Sequence, residues 1–341
     1  MSQPRNDTVN RWELHAFGLQ NLRQQTAPLP EPGPGEVLVK VEAASLNYRD
    51  LQIAEDRYGL PITLPLVPGS DLAGRVLAAG PGVTRWNGGE RVLSTFFPGW
   101  LDGVVAPPAT QPLGMPGPGV LSTHVRMHED WLVGAPATLN AAQASTLPCA
   151  GLTAWTALVE HGPVKAGQTV LVHGTGGVAL FGVQLAKLHG ARVIVVSGSS
   201  DKLDAVRALG ADHVLERESD WPAEVLRLSG GRGADHVLEL AGGSNLGRSL
   251  DALAVGGHVA YIGTLQGADF SGSGYALIGK RAQVRGVGVG HRRGLEELVR
   301  AVDASGLQPA IAAEYPADQV PAAFEHLARG PFGKVVVRFD G

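Results

Sequence analysis

After about residue 151 the apolar positions follow two alternating periods. TVLVH (169–173), RVIVVS (192–197), HVLE, DHVLEL, HVAYIG and QVRGVGV are short β-branched runs of the kind that form buried strands. Between them FGVQLAKLHG, DKLDAVRALG, WPAEVLRLSGG and NLGRSLDALAVGG carry helical spacing, and each ends in a glycine suited to a left-handed cap. This alternation predicts an α/β domain with a doubly wound, six-stranded parallel sheet, preceded by a helix in GLTAWTALVEHG. The earlier part of the chain is different. PLPEPGPGEVLVKVEAASLN, VPGSDLAGRVLAAGPGV and GGERVLSTFF read as short strands punctuated by Pro/Gly turns, and STHVRMHEDWLV resumes strand character, so a β-rich, barrel-like or sandwich-like lobe is expected. Residues 98–120, rich in proline and glycine, read as a surface loop with Trp100 and Leu101 as apolar anchors. A helix in GLEELVRAVDASG and a final strand in GKVVVRF are expected to return to the first lobe, with the ligand in a cleft between domains. The expected domains are 1–148 with 290–341, and 149–289.

The strand–turn–helix at 169–189 is the most informative segment. Gly174, Thr175, Gly176, Gly177 and Val178 lie between a buried strand and a helix of small residues. The first glycine allows a sharp turn, the second allows the backbone to approach a pyrophosphate, and Ala179 stands where a small residue lets helix and strand touch. Unpaired N–H groups and the helix dipole favour an anion there. The end of the next strand selects the nucleotide. An NAD site places Asp or Glu there for the ribose 2′-OH, whereas this chain has Ser197, Gly198, Ser199, Ser200, Asp201 and Lys202. Serine hydroxyls and an ammonium suit a 2′-phosphate, so NADP(H) is favoured, with Arg217 as a second cation. The same serines also suit a helix cap.

Composition narrows the class without changing it. With 44% hydrophobic and 18% charged residues and a formal net charge of −4, the chain reads as a soluble globular protein without a basic block for nucleic acid. Its 341 residues suit two domains. No run is long enough for a transmembrane helix and the amino end has no apolar targeting core, so a cytoplasmic protein is expected, with neither nucleic acid nor membrane as partner. The single cysteine, Cys149, excludes an intramolecular disulfide and reads as a small packing residue. His124 and His128, in an extended segment, would lie about 13 Å apart, too far to share an ion. His173 reads as a hydrogen-bonding group at a strand end.

The chain resembles the medium-chain dehydrogenase/reductase superfamily, in its zinc-independent, quinone-oxidoreductase-like branch. The resemblance spans nearly the whole sequence and rests on SLNYRD (45–50), VPGSDLAG (67–74), PCAGLTAWTAL (148–158), the glycine turn, ALGADHVL (208–215) and GKVVV (333–337). It implies a Rossmann domain over 149–289 and a GroES-like catalytic domain from the remainder. Zinc-dependent relatives carry a cysteine in the first of these segments, Gly-His-Glu in the second and another cysteine or acid near Cys149. Here Asn47, Tyr48 and Arg49 stand in the first, Ser70 and Asp71 follow Gly69 in the second, and the four-cysteine structural lobe is absent. One thiolate cannot hold catalytic zinc, which takes three protein ligands, so no metal is expected.

The same resemblance implies the site. Asn47 and Tyr48 would face the nicotinamide, Tyr48 as proton donor or as a packed wall residue, Asn47 as a donor or a ribose contact. Thr153 would approach the nicotinamide, Ala241, Gly263 and Thr264 would line the nucleotide, Val287 and Val289 would pass its carboxamide, and Lys334 would reach the phosphates. Tyr58, Trp100 and Tyr275 are weaker pocket candidates. QVRGVGV is expected to be the sheet edge through which a homodimer forms. The expected activity is NADPH-dependent hydride transfer to a small-molecule acceptor, a quinone or activated alkene. A metal-free alcohol or aldehyde dehydrogenase and an NADPH-binding protein with little turnover are the alternatives.

Overall fold

The computed structural model describes residues 8–104 and 111–339, so the 105–110 part of the expected surface loop lies outside the described residues. The chain forms two compact units, 1–149 with 290–341, and 150–289.

The first unit begins with an antiparallel hairpin of β1 (Thr8–Leu14) and β2 (Leu22–Pro28). Then come β3 (Glu36–Ser45), β4 (Asp71–Ala79), β5 (Arg91–Ser94), β6 (His124–His128) and β7 (Leu132–Gly134). β3 is the centre: it pairs antiparallel with both β4 and β6, and Val37, Val39 and Val41 are fully buried in the core. A helix, Tyr48–Ala54, follows β3, with the Asn47 N–H donating to the Asp50 carboxylate at 2.8 Å and fixing its first turn.

The second unit supplies β8 (Thr169–His173), β9 (Arg192–Ser197), β10 (His213–Glu216), β11 (Ala234–Glu239), β12 (Leu253–Tyr261) and β13 (Gln283–Gly286). They form one parallel sheet in the order β10-β9-β8-β11-β12-β13, which is the doubly wound order. β8 and β11 are buried along their whole length, as a sheet covered on both faces requires. One helix boundary differs from expectation. The helix Asn245–Ala252 stops before LAVGG, which opens β12, because Leu253 already turns extended and Gly256 sits at φ 76°. In the tail the helix Arg292–Ser305 is followed by β14 (Ile311–Pro316), a helix Val320–Ala328 and β15 (Lys334–Arg338). β15 pairs with β3 and so completes the sheet of the first unit in the order β14-β15-β3-β4-β5-β7.

Candidate active site

In the second unit the site is built on the turn after β8. Gly174 adopts φ 85°, a conformation L side chains rarely take, and Gly176 caps the helix Gly177–Leu188. The first-turn N–H groups of that helix have no intrahelical acceptor, an arrangement that favours an anion. Ala179 is buried as expected, yet the close contact belongs to Gly182, where a Cβ would stand 2.6 Å from Leu238 Cδ2 on β11. The sequence reading missed Gly182, although its i,i+3 spacing from Ala179 puts it on the same helical face.

A cavity of about 140 Å³ opens beside the turn, lined by His173, Gly174, Val196, Arg217, Ala241 and Asn245 among others. Its wall is shaped by a buried carboxylate that the sequence reading also missed. Glu239, fully buried at the end of β11, accepts hydrogen bonds from the N–H groups of Ala241 (2.9 Å) and Gly242 (3.0 Å), from Asn245 Nδ2 (2.8 Å) and from Ser249 Oγ (2.5 Å). His173 Nε2 lies 3.1 Å from Ser249 Oγ, consistent with its expected role at the strand end. Burial holds the His173 imidazole below its ordinary pKa, against the opposing pull of Glu239. Beside it, Gly263 donates its N–H to Glu239 O at 3.1 Å and approaches so closely that a Cβ would be 2.3 Å from Leu240 O, and Thr264 next to it is exposed. Val287 donates its N–H to Tyr261 O at 2.9 Å, and Val289 has φ 61°, an uncommon backbone state for a β-branched residue.

At the end of β9, Ser197 is buried and its hydroxyl accepts from Ser199 N at 3.2 Å. Lys202 closes the short helical turn that follows. The exposed Arg217 lays its guanidinium over Gly198, where a Cβ would stand 2.9 Å from Arg217 Cζ. No hydrogen bond or ion pair among the described residues engages that guanidinium.

In the first unit, the ends of three adjacent strands gather a buried polar cluster. The register pairs Ser45 of β3 with Asp71 of β4 on one side and with Val336 of β15 on the other, so Asn47, Asp71 and Lys334 converge. Lys334, only 4% exposed, donates its ammonium to Leu46 O (2.7 Å) and Asn47 Oδ1 (2.5 Å). Asn47 Nδ2 donates to Ser70 Oγ (3.2 Å), Ser70 Oγ donates to Asp71 Oδ1 (2.6 Å), and Asp71 Oδ2 accepts from Cys149 N (3.1 Å). Burial pushes the Asp71 carboxyl above its usual range against the Lys334 ammonium, and burial raises the Cys149 thiol strongly as well. Burial likewise lifts Asp50 to about 6, opposed by Arg49 and the Asn47 N–H.

Tyr48 differs from these neighbours in being 41% exposed. The exposed Arg57 guanidinium is bound by the Glu55 carboxylate, which holds it in its charged form. Tyr58 is half-buried under the Arg49 guanidinium. Trp100 packs on Phe97 and His291 and donates to Gly103 O at 2.9 Å. In the second unit Thr153 is buried in a helical stretch and Tyr275 is 92% exposed on the helix Gly274–Gly279.

Residues 177–304 match the family model for zinc-binding dehydrogenases, and residues 33–137 match that for the alcohol dehydrogenase GroES-like domain. The chain is 37% identical over 335 residues to a zinc-type alcohol dehydrogenase-like protein of Schizosaccharomyces pombe, covering 95% of this chain and 96% of that one. It is 28% identical over 327 residues to a quinone oxidoreductase of Rattus norvegicus, covering 92% of each. A putative alcohol dehydrogenase from Sinorhizobium meliloti superposes with a TM-score of 0.94 at 50% identity, over 99% of this chain and 100% of that one. The chain therefore belongs to the medium-chain dehydrogenase/reductase superfamily of oxidoreductases, whose dehydrogenases bind nicotinamide cofactors.

Proposed function

We propose that the protein is a metal-free, NADPH-dependent reductase of quinones or activated alkenes. The observation that carries this reading is the Lys334–Asn47–Ser70–Asp71 cluster. A zinc site needs three ligands with free lone pairs, whereas here Asn47 Oδ1 already accepts from a buried ammonium and the one thiol is pushed toward its protonated form. A buried cation beside these groups also repels a second one. This donor set does not fit zinc, so polarisation of an alcohol or alkoxide by metal is not part of the reading.

An acceptor conjugated to a carbonyl or quinone oxygen suits such a site, since its negative charge is dispersed and needs only hydrogen-bond donors. Bound NADPH would supply the hydride. Tyr48 is the accessible donor of the expected pair, and its phenol would give its proton to the reduced acceptor. Asn47 is committed to Lys334 and Ser70, so its contribution is to hold the start of the Tyr48–Ala54 helix. NADPH is favoured over NADH by Arg217, a cation over Gly198 at the end of a strand without a carboxylate. A homodimer is supported by β13, which among the described residues has a sheet neighbour on one side only and is exposed along its length.

Tyr48→Phe tests the chemistry. Loss of one donor to developing charge costs about 3 kcal/mol, so kcat on the best quinone or enone should fall roughly a hundredfold with NADPH affinity unchanged. An undiminished kcat would remove Tyr48 from the mechanism.

A further inference from the structure

Arg49 follows Tyr48 on the same short helix, but it points into the protein, with its side chain 10% exposed. One guanidinium nitrogen donates to Leu113 O and another to Met115 O, both at 2.9 Å. The Tyr58 ring centroid lies 5.2 Å from Arg49 Cζ and that of Phe96 lies 5.1 Å from it. An Asp50 carboxylate oxygen is 3.9 Å away. A single side chain therefore touches the segment after the helix through Tyr58, the segment after β5 through Phe96, and the 111–118 turn through two carbonyls.

Those carbonyls have no obvious substitute partner. Leu113 and Met115 are buried, and three N–H groups of the turn are already spent: Leu113 N on Phe96 O, Gly114 N on Pro118 O and Gly117 N on Pro112 O. A planar fork can reach two carbonyls while presenting its face to aromatic rings, and a tetrahedral ammonium cannot do both. Without Arg49 two buried acceptors lose their donor, and the three segments lose the group they share.

We propose that Arg49 is a positioning residue that locks these three segments into the wall on which the acceptor rests, and so sets acceptor affinity without touching the reacting atoms. This rests on the reading of Tyr48 and Tyr58 as the acceptor side of the site.

The test combines amide hydrogen exchange with steady-state kinetics on the full-length protein, in the wild type, Arg49→Lys and Arg49→Met. Exchange in peptides spanning 95–104 and 111–121 should rise at least tenfold in both variants, with β3 and the second unit unchanged. KM for a quinone or enone acceptor should rise at least tenfold, while NADPH Kd and kcat at saturating acceptor stay within threefold. Should either variant fail to fold, Phe96→Leu keeps the guanidinium and removes one of its rings, and smaller changes in the same direction are expected. Unchanged exchange in both segments would overturn the proposal. Faster exchange with an unchanged acceptor KM would overturn the acceptor role while leaving the clamp, and would count against the placement of the acceptor. If Tyr48→Phe has no effect on kcat, the exchange measurement still decides the clamp.

Discussion

Replacing Arg217 by alanine removes the exposed cation that is proposed to distinguish NADPH from NADH. Its guanidinium is exposed and rests over Gly198, with no carboxylate at the end of β9 to compete for it. A 2′-phosphate bound there would accept a bidentate, charge-assisted pair of hydrogen bonds, worth about 1.5–3 kcal/mol. Because the group is solvated, screening favours the low end, which corresponds to roughly tenfold in Kd. NADH has no group to meet Arg217 and should bind the variant and the wild type alike. The assay is titration of both nucleotides by protein or nicotinamide fluorescence at low and high salt. The wild type should prefer NADPH at least several-fold, Arg217→Ala should lose about tenfold for NADPH alone, and the loss should shrink at high salt. Ser197→Asp, which places a carboxylate at the end of β9, should weaken or reverse the preference. Equal wild-type affinities, or an equal loss for both nucleotides in Arg217→Ala, would show that Arg217 does not meet the 2′-phosphate.

Other predictions concern stability and assembly. Burial raises the folded-state pKa of Asp50 from 3.8 to about 6. Its stabilising contribution is then fully present below about pH 4 and is lost as pH rises through 6, to the extent of about 3 kcal/mol. Asp50→Asn should therefore gain on the wild type by about 2 kcal/mol of that between pH 4 and 6.5 in urea unfolding, and a pH-independent difference would contradict the assignment. Lys334→Met leaves the buried Asp71 without its neighbouring cation and should destabilise by about 3–5 kcal/mol, with Lys334→Arg restoring part of it; a loss below about 1 kcal/mol would show that the cluster is electrostatically slack. Light scattering at micromolar concentration should report a dimer for the wild type and a monomer for Val284→Asp on the exposed edge strand, and a monomeric wild type would end that proposal.

The parallel sheet was legible because β8, β9 and β11 are buried on both faces and their apolar runs carry the signal directly. The Arg292–Ser305 helix was equally clear, with its amphipathic spacing and Gly306 in the left-handed region. The β1–β2 hairpin was not, since β2 is exposed over most of its length and shows little alternation. Leu253 to Gly257 read as the end of a helix because an apolar run beside alanine has no period of its own. Nor could the sequence show that Glu239 gathers Asn245, Ser249 and two turn N–H groups, because that depends on how the chain bends after β11. Lys334 was expected at the phosphates, yet its ammonium is buried against Leu46 O and Asn47 Oδ1. The pattern GKVVVRF does not say that the lysine opening β15 turns inward beside the end of β3.

The most direct test of the account is turnover by chelator-treated protein whose zinc content has been measured on the same sample. Substoichiometric zinc, NADPH oxidation on a quinone or enone at the rate of untreated protein, and negligible NADP-dependent oxidation of simple alcohols are expected. Stoichiometric zinc lost together with activity, or robust alcohol oxidation without reduction of any quinone or enone, would contradict that expectation.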